Sequence, residues 1–131
     1  MIVVDASVVA DLLLRSPRAS AIEAELFAPR SGSLHAPSLL DVEVLHVLRR
    51  FHFEGELSAA RGEEAVRDLQ DLRIERHHQE LLVPRIWDLR RSLTAYDACY
   101  VALAELLEAP LLTLDRRLGR SRGHRAEVRV L

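Results

Sequence analysis

Two short apolar runs, near opposite ends of this chain, each stop at an aspartate. Ile2-Val3-Val4 leads into Asp5, and Leu111-Leu112-Thr113-Leu114 leads into Asp115. Runs this short and this continuously apolar are the mark of strands buried on both faces. Helical stretches alternate with further short strands between them, and that alternation implies a parallel sheet covered on both sides. In such sheets ligands bind outside the C-terminal ends of the strands, where the strand order reverses. Asp5 and Asp115 each occupy a strand's C-terminal end, so both carboxylates are expected at one rim of one sheet.

The remaining elements follow from periodicity and punctuation. A helix is expected over Ala6 to Leu14, then a break at Ser16-Pro17 and a second helix over about 19–27. Leu34-His35-Ala36 reads as a strand before Pro37. Ser38 is a natural N-cap for a helix reaching about Phe53, with Asp41 three residues on as its capping partner. Gly55 ends that region, and Ser58 caps a helix to about Leu69. Leu72-Arg73-Ile74-Glu75 alternates as a third strand. Residues 80–91 suit a helix with Pro84 in its first turn. Thr94 caps the next helix, Leu111 to Leu114 is the fourth strand, Arg116 to Arg122 a short helix or turn, and Val128-Arg129-Val130 a last strand. The expected fold class is α/β: three layers, with a central parallel sheet of four to five strands flanked by helices.

Two more acids lie where surface decoration explains them poorly. Glu43 interrupts an apolar helix and shares its face with Leu39, Leu40 and Val47. Asp97 lies in the first turn of Thr94-Ala-Tyr-Asp-Ala-Cys-Tyr-Val-Ala-Leu-Ala, where the helix dipole favours negative charge. Each of the four acids has a plain explanation of its own: a cap, or a pair with His46 or an arginine. Four such accidents at one rim are harder to accept, because unpaired carboxylates in apolar surroundings are strongly disfavoured. A divalent cation is the simplest charge that would bring Asp5, Glu43, Asp97 and Asp115 together. A carboxylate set without Cys or His ligands selects hard ions, Mg2+ or Mn2+. Such a site suits phosphodiester hydrolysis. Ser7 and Thr113, each two residues from a site acid, are placed to orient the ligands behind them.

Composition narrows the alternatives. With 131 residues, 49% hydrophobic and 29% charged, the chain suits one soluble domain spanning 1–131. No apolar run approaches the roughly 20 residues that cross a bilayer, and the start reads as a strand, not a signal peptide. One cysteine, Cys99, in an apolar helix, suits a reducing, cytoplasmic setting and a core role. Trp87 is expected to pack as well. His77 and His78 are adjacent and point to different sides, so zinc ligation by that pair is not expected. There is no glycine-rich phosphate loop and no Gly-x-Ser-x-Gly elbow. A phosphoacceptor receiver domain would want a lysine near its acids, and the chain has none: its 18 basic residues are all arginine. A GC-rich gene accounts for that choice, yet Arg116, Arg117 and Arg120 open a C-terminal stretch of six arginines against Glu127 alone. A basic edge beside an acidic site is a place for a phosphate backbone.

The opening Met-Ile-Val-Val-Asp5-Ala-Ser7, Glu43 in its apolar helix, Thr94-Ala-Tyr-Asp97-Ala-Cys-Tyr-Val-Ala-Leu-Ala-Glu105 and Leu-Leu-Thr113-Leu-Asp115-Arg-Arg-Leu resemble the PIN-domain ribonucleases, in particular VapC-type toxins of toxin–antitoxin pairs. The resemblance covers nearly the whole chain in the family's order and spacing. It implies a single PIN domain over 1–131, with Mg2+ or Mn2+ held by Asp5, Glu43, Asp97 and Asp115. It implies endonucleolytic cleavage of structured RNA such as tRNA or rRNA, a homodimer, and inhibition by a small VapB-type antitoxin. The helices at 19–27 and 38–53 are expected to form the antitoxin groove, and the last helices the dimer contact. A housekeeping PIN nuclease of RNA maturation, or a non-catalytic binding module, would carry the same motifs.

Overall fold

The structure, a computed structural model, describes residues 1–131. Five strands form one all-parallel sheet: β1 (Ile2–Val4), β2 (Leu34–Pro37), β3 (Ile74–His77), β4 (Leu111–Thr113) and β5 (Val128–Val130). Their spatial order is β3-β2-β1-β4-β5. The chain steps outward from β1 through β2 to β3, then returns to β4 on the other side of β1. Right-handed crossovers turn that reversal into two helical layers. One holds α1 (Ala6–Leu13), α2 (Ala19–Leu26), α3 (Leu40–Phe53) and α4 (Ala59–Asp71), which pack on one another around α1. The other holds α5 (Val83–Asp88) and α6 (Ala95–Leu107), with α6 lying against β1 and β2. A short α7 (Arg116–Gly119) joins β4 to β5.

Continuous burial explains why β1 and β4 read as unbroken apolar runs: every residue of both is buried. Val3, Val4, Leu111 and Leu112 are fully enclosed in a core that also takes in Val8, Val9, Leu40, Val44, Val101 and Leu103. Each such side chain contributes roughly 1.5–3 kcal/mol relative to exposure. No helix is long and apolar enough to cross a membrane.

The departures from expectation have local causes. The third strand begins two residues late, at Ile74, because α4 runs on to Asp71 and Leu72 is spent leaving it. Its last residues, Arg76 and His77, are polar because β3 is an edge strand, where polar residues deter pairing with other chains. Ser38 does not cap α3, which starts at Leu40 without a side-chain cap. Its amide and hydroxyl both donate to the His77 carbonyl, at 2.9 and 3.1 Å. Asp41 is likewise taken by Arg76, which grips it with two nitrogens at 2.8 and 3.2 Å. In both cases the end of β3 outcompetes the local cap. The expected helix over 80–91 is divided into a 3-10 turn at Gln79–Leu82 and α5, since Pro84 sits in the first turn of α5 and lacks the N–H that would extend the earlier turn. Trp87 is not core: it is 65% exposed, with the Arg90 guanidinium 4.6 Å above its ring. Cys99 is buried as expected.

Candidate active site

The strand order reverses between β1 and β4, and both strands end in an acid there. Asp5 leaves β1 in an extended conformation and caps α1. Its Oδ1 accepts the amides of Ser7 (3.0 Å) and Val8 (3.2 Å) and the Ser7 hydroxyl (2.5 Å). Its Oδ2 accepts the hydroxyl of Thr113, which is fully buried on β4. Each hydroxyl also accepts an amide from the end of β4: Ser7 Oγ takes Leu114 N at 3.0 Å, and Thr113 Oγ1 takes Asp115 N at 3.0 Å. Ser7 and Thr113 therefore bridge Asp5 to the two residues that follow β4. Burial nevertheless raises the Asp5 pKa, against the lowering effect of its hydrogen bonds.

Asp115 caps α7 and is gripped by Arg117, whose backbone N lies 2.8 Å from Oδ1 and whose Nη2 lies 3.1 Å from Oδ2. That arginine holds the Asp115 pKa below the usual carboxylate range. Asp97 stands in the first turn of α6, where its amide donates to Thr94 Oγ1 at 3.2 Å and completes the expected cap. Partial burial raises its pKa, and the charge of Asp115 adds to the rise. Glu43 comes from the first turn of α3. Its pKa is raised chiefly by burial; the nearby Tyr100 hydroxyl pulls it down, and the charges of Asp5 and Asp97 push it up again. Glu43 Oε1 and the Tyr100 hydroxyl are both buried, and neither makes a hydrogen bond of good geometry.

The structure thus brings all four sequence-derived acids to one cavity of about 600 Å³, with Ser7 on its wall. It adds three residues, of which the sequence reading names only His46, as a possible partner of Glu43. Tyr100 lies beneath Glu43, Tyr96 is 66% exposed at the mouth, and His46 is at the rim. Helical spacing was the available signal for two of them, since Tyr100 is three residues after Asp97 and His46 three after Glu43; Tyr96, next to Asp97, carries no such signal. Of the three arginines expected at an RNA edge, Arg116 at the start of α7 and Arg120 just after it are exposed, while Arg117 is already paired with Asp115.

Three acids raised by burial, Glu43 and Asp97 also by the charge of neighbouring acids, with a buried carboxylate oxygen left unpartnered, fit a divalent cation well. The donors are carboxylate oxygens, the set that hard ions prefer. Without an ion the cluster carries repulsion that Arg117 offsets only in part: it is paired with Asp115 and pulls on Asp97, and Glu43 has no cation beside it.

The PIN domain family model matches residues 2–123. Ribonuclease VapC12 of Mycobacterium tuberculosis is 37% identical over 131 residues, covering 100% of this chain and 99% of that protein. Ribonuclease VapC9 of the same species is 42% identical over 119 residues, 91% of this chain and 89% of that protein. Among solved structures, VapBC2 from Rickettsia felis, described as bound to a DNA fragment from their promoter, superposes with a TM-score of 0.69 at 14% identity, covering 98% of each chain. At that identity the likeness is one of fold alone, and it repeats the helix-flanked parallel sheet. The family model and the two ribonucleases, each matched over most of its length, agree: the chain belongs to the PIN-domain family and, within it, to the VapC ribonucleases.

Proposed function

We propose that this protein is a toxin of a toxin–antitoxin pair, a metal-dependent endoribonuclease that hydrolyses structured RNA, tRNA or rRNA, in the cytoplasm. The observation that carries the reading is the convergence of Asp5, Glu43, Asp97 and Asp115 on one cavity with Glu43 Oε1 left unpartnered. These four carboxylates would hold Mg2+ or Mn2+. A bound ion would acidify water and neutralise charge on the scissile phosphate.

The protein's own residues prepare that chemistry. Ser7, Val8 and Thr113 aim both oxygens of Asp5 before any ion arrives. Glu43 and Asp97, raised in pKa by burial, give up protons readily once a cation offsets their repulsion. Arg117 keeps Asp115 ionised and stands at the edge where an RNA backbone would approach. Arg116 and Arg120 extend that edge with two exposed charges, and the exposed Tyr96 ring offers an unpaired base a surface to stack on.

A VapB-type antitoxin would need an apolar surface. The cavity between α3 and α4 supplies one, lined by Leu45, Leu48, Phe53, Leu57 and Val66. Its second wall is α4, not the 19–27 helix. Exposed Val83 and Trp87 on α5, with Leu81 just before it, offer a homodimer contact in place of the last helices.

The test is cleavage of total cellular RNA by purified protein with Mg2+ or Mn2+, against EDTA and against Asp97→Asn. Discrete metal-dependent fragments, absent from the variant, are expected. Undiminished cleavage by Asp97→Asn would sink the assignment.

A further inference from the structure

Away from the four-acid cavity, the sheet carries a second group of potential ligands. The β2–β3 ladder pairs His35 with Glu75, and His77 follows two residues along β3 on the same face. His35 Nδ1 lies 2.8 Å from His77 Nε2 and 3.6 Å from Glu75 Oε2. Ligand atoms of all three residues fall within 4.8 Å of one another. None of the three lines the four-acid cavity.

We propose that His35, Glu75 and His77 form a site for a borderline transition-metal ion, Zn2+ above all, that clamps edge strand β3 to β2. Two imidazoles and a carboxylate are a donor set that zinc accepts in tetrahedral geometry, with a fourth position left to water. Metal–nitrogen bonds of about 2.0–2.1 Å place tetrahedral ligand atoms roughly 3.3 Å apart. The His35–Glu75 separation is already close to that. The two imidazoles must part by roughly half an ångström, which a small rotation of the partly buried His77 ring provides.

A supporting contact is in place. His35 is a buried polar side chain, 4% exposed, and its Nε2 lies 2.7 Å from Ser33 Oγ. Donation from Nε2–H to that hydroxyl leaves the Nδ1 lone pair facing Glu75 and His77, the arrangement in which ligating histidines are usually held. Without an ion, the 2.8 Å contact between the rings requires a proton on His77 Nε2. With an ion, that proton moves to His77 Nδ1 and the freed lone pair binds, so the charge on the rings does not change. Entry runs along the sheet edge past Glu75, whose side chain is 66% exposed.

Pairing rigidity separates this group from a chance cluster. His35 and Glu75 face each other through backbone register, and His77 is fixed by the pairing of its own residue with Pro37. The site is thus set by two ladder positions on one face, His35–Glu75 and Pro37–His77. Its imidazoles distinguish it chemically from the all-carboxylate cavity, which prefers Mg2+ or Mn2+.

The test uses the full chain without a histidine tag, stripped with EDTA and held in excess Mg2+ to occupy the acidic cavity. Co2+ is titrated as a spectroscopic probe, then displaced with Zn2+. Four-coordinate Co2+ bands saturating at one equivalent are expected, with weaker binding by about tenfold or more in His77→Gln and in Glu75→Gln. Ser33→Ala should weaken binding by about tenfold through the His35 ring, and Asp97→Asn should leave the bands unchanged. Circular dichroism melts check that each variant folds, and Glu75→Gln, at an exposed side chain, carries the test if His77→Gln does not. Absent bands would overturn the proposal and leave a hydrogen-bonded histidine pair. Bands that survive His77→Gln and Glu75→Gln but vanish in Asp97→Asn would overturn it equally, by assigning the ion to the acidic cavity.

Discussion

Thr113, wholly buried on β4, donates its hydroxyl to Asp5 at the end of β1, so the two central strands are joined through the candidate site itself. Thr113→Val keeps the shape and removes that donor, along with the acceptor for Asp115 N. Leaving buried polar groups unpaired costs about 1–3 kcal/mol. The Asp5 pKa should also rise further, because one of the bonds that lower it is gone. We expect a lower urea midpoint and cleavage that needs more Mn2+ or a higher pH. An unchanged midpoint and metal requirement would mean that Thr113 is only packing.

The site acids make stability depend on pH in a definite direction. Asp5, Glu43 and Asp97 have folded pKa values above their ordinary ones of 3.8, 4.5 and 3.8. The folded state therefore holds more protons than the unfolded one between the ordinary and the raised values, and stability falls as pH climbs through that window. Asp115, held low by Arg117, acts oppositely but more weakly because its partner is exposed. Metal-free protein should melt higher in mildly acidic buffer than at neutral pH as far as these groups decide it. Mn2+ should add stabilisation that grows with pH. Asp97→Asn should raise the metal-free melting temperature at neutral pH by a few degrees. Scanning calorimetry across pH 4–8 with and without Mn2+ reads all three, and a melting temperature lowered by Asp97→Asn would contradict the account.

Arg85 on α5 forks onto Glu105 on α6 through Nε at 2.8 Å and Nη2 at 3.0 Å, and Glu105 also accepts Arg125 N at 2.8 Å. The Glu105 side chain is only 4% exposed and the Arg85 side chain 33%. Glu105→Ala leaves the Arg85 guanidinium with only the Gly123 carbonyl, at 3.3 Å, and frees Arg125 N, at a cost of about 1–3 kcal/mol. The bond to Arg85 holds the Glu105 pKa down. Its contribution is complete above the unfolded value near 4.5 and is lost as pH falls through the folded one. Chemical denaturation at two pH values should show the variant's deficit shrinking in acid.

Leu103 is fully buried on α6 against the sheet. Leu103→Ala should destabilise by about 2–5 kcal/mol. Equilibrium unfolding measures this, and a loss under about 1 kcal/mol would imply that the helix collapses onto the sheet and fills the space.

Leu45 and Phe53 are 42% and 73% exposed on α3 and line the cavity against α4. Alanine at either should leave the fold nearly unchanged and weaken the antitoxin complex by more than about 1 kcal/mol. Titration calorimetry with the cognate antitoxin decides it, and unaltered affinity in both variants would move the partner to another surface.

Much of the site was legible because its parts carry local signals. Asp5 and Asp115 are marked by the apolar runs that they end. Asp97 is marked by Thr94, and Ser7 by its place two residues after Asp5; Thr113 stands two residues before Asp115, and its bond to Asp5 belongs to the tertiary structure. Tyr96 and Tyr100 are not legible as site residues because an aromatic in an apolar helix looks like core, and Tyr100 is buried as core is; what sets it apart is Glu43 beside its hydroxyl. Trp87 was misjudged for the opposite reason, since the short α5 has too little buried face to enclose it.

The sequence by itself determined the alternation of strands and helices, and with it the rim where the four acids meet. Those features depend on periodicity and on which residues end a run, both readable within a dozen positions. Only the tertiary structure decided the contacts across the β2–β3 ladder. Ser38 and Asp41 left their local cap for the end of β3, and His77 turned from His78 toward His35. Register sets those contacts, and register is chosen by the whole core at once, because sliding β3 by one residue would send Ile74 to solvent and the β3 partners of His35, Glu75 and His77, to the opposite face.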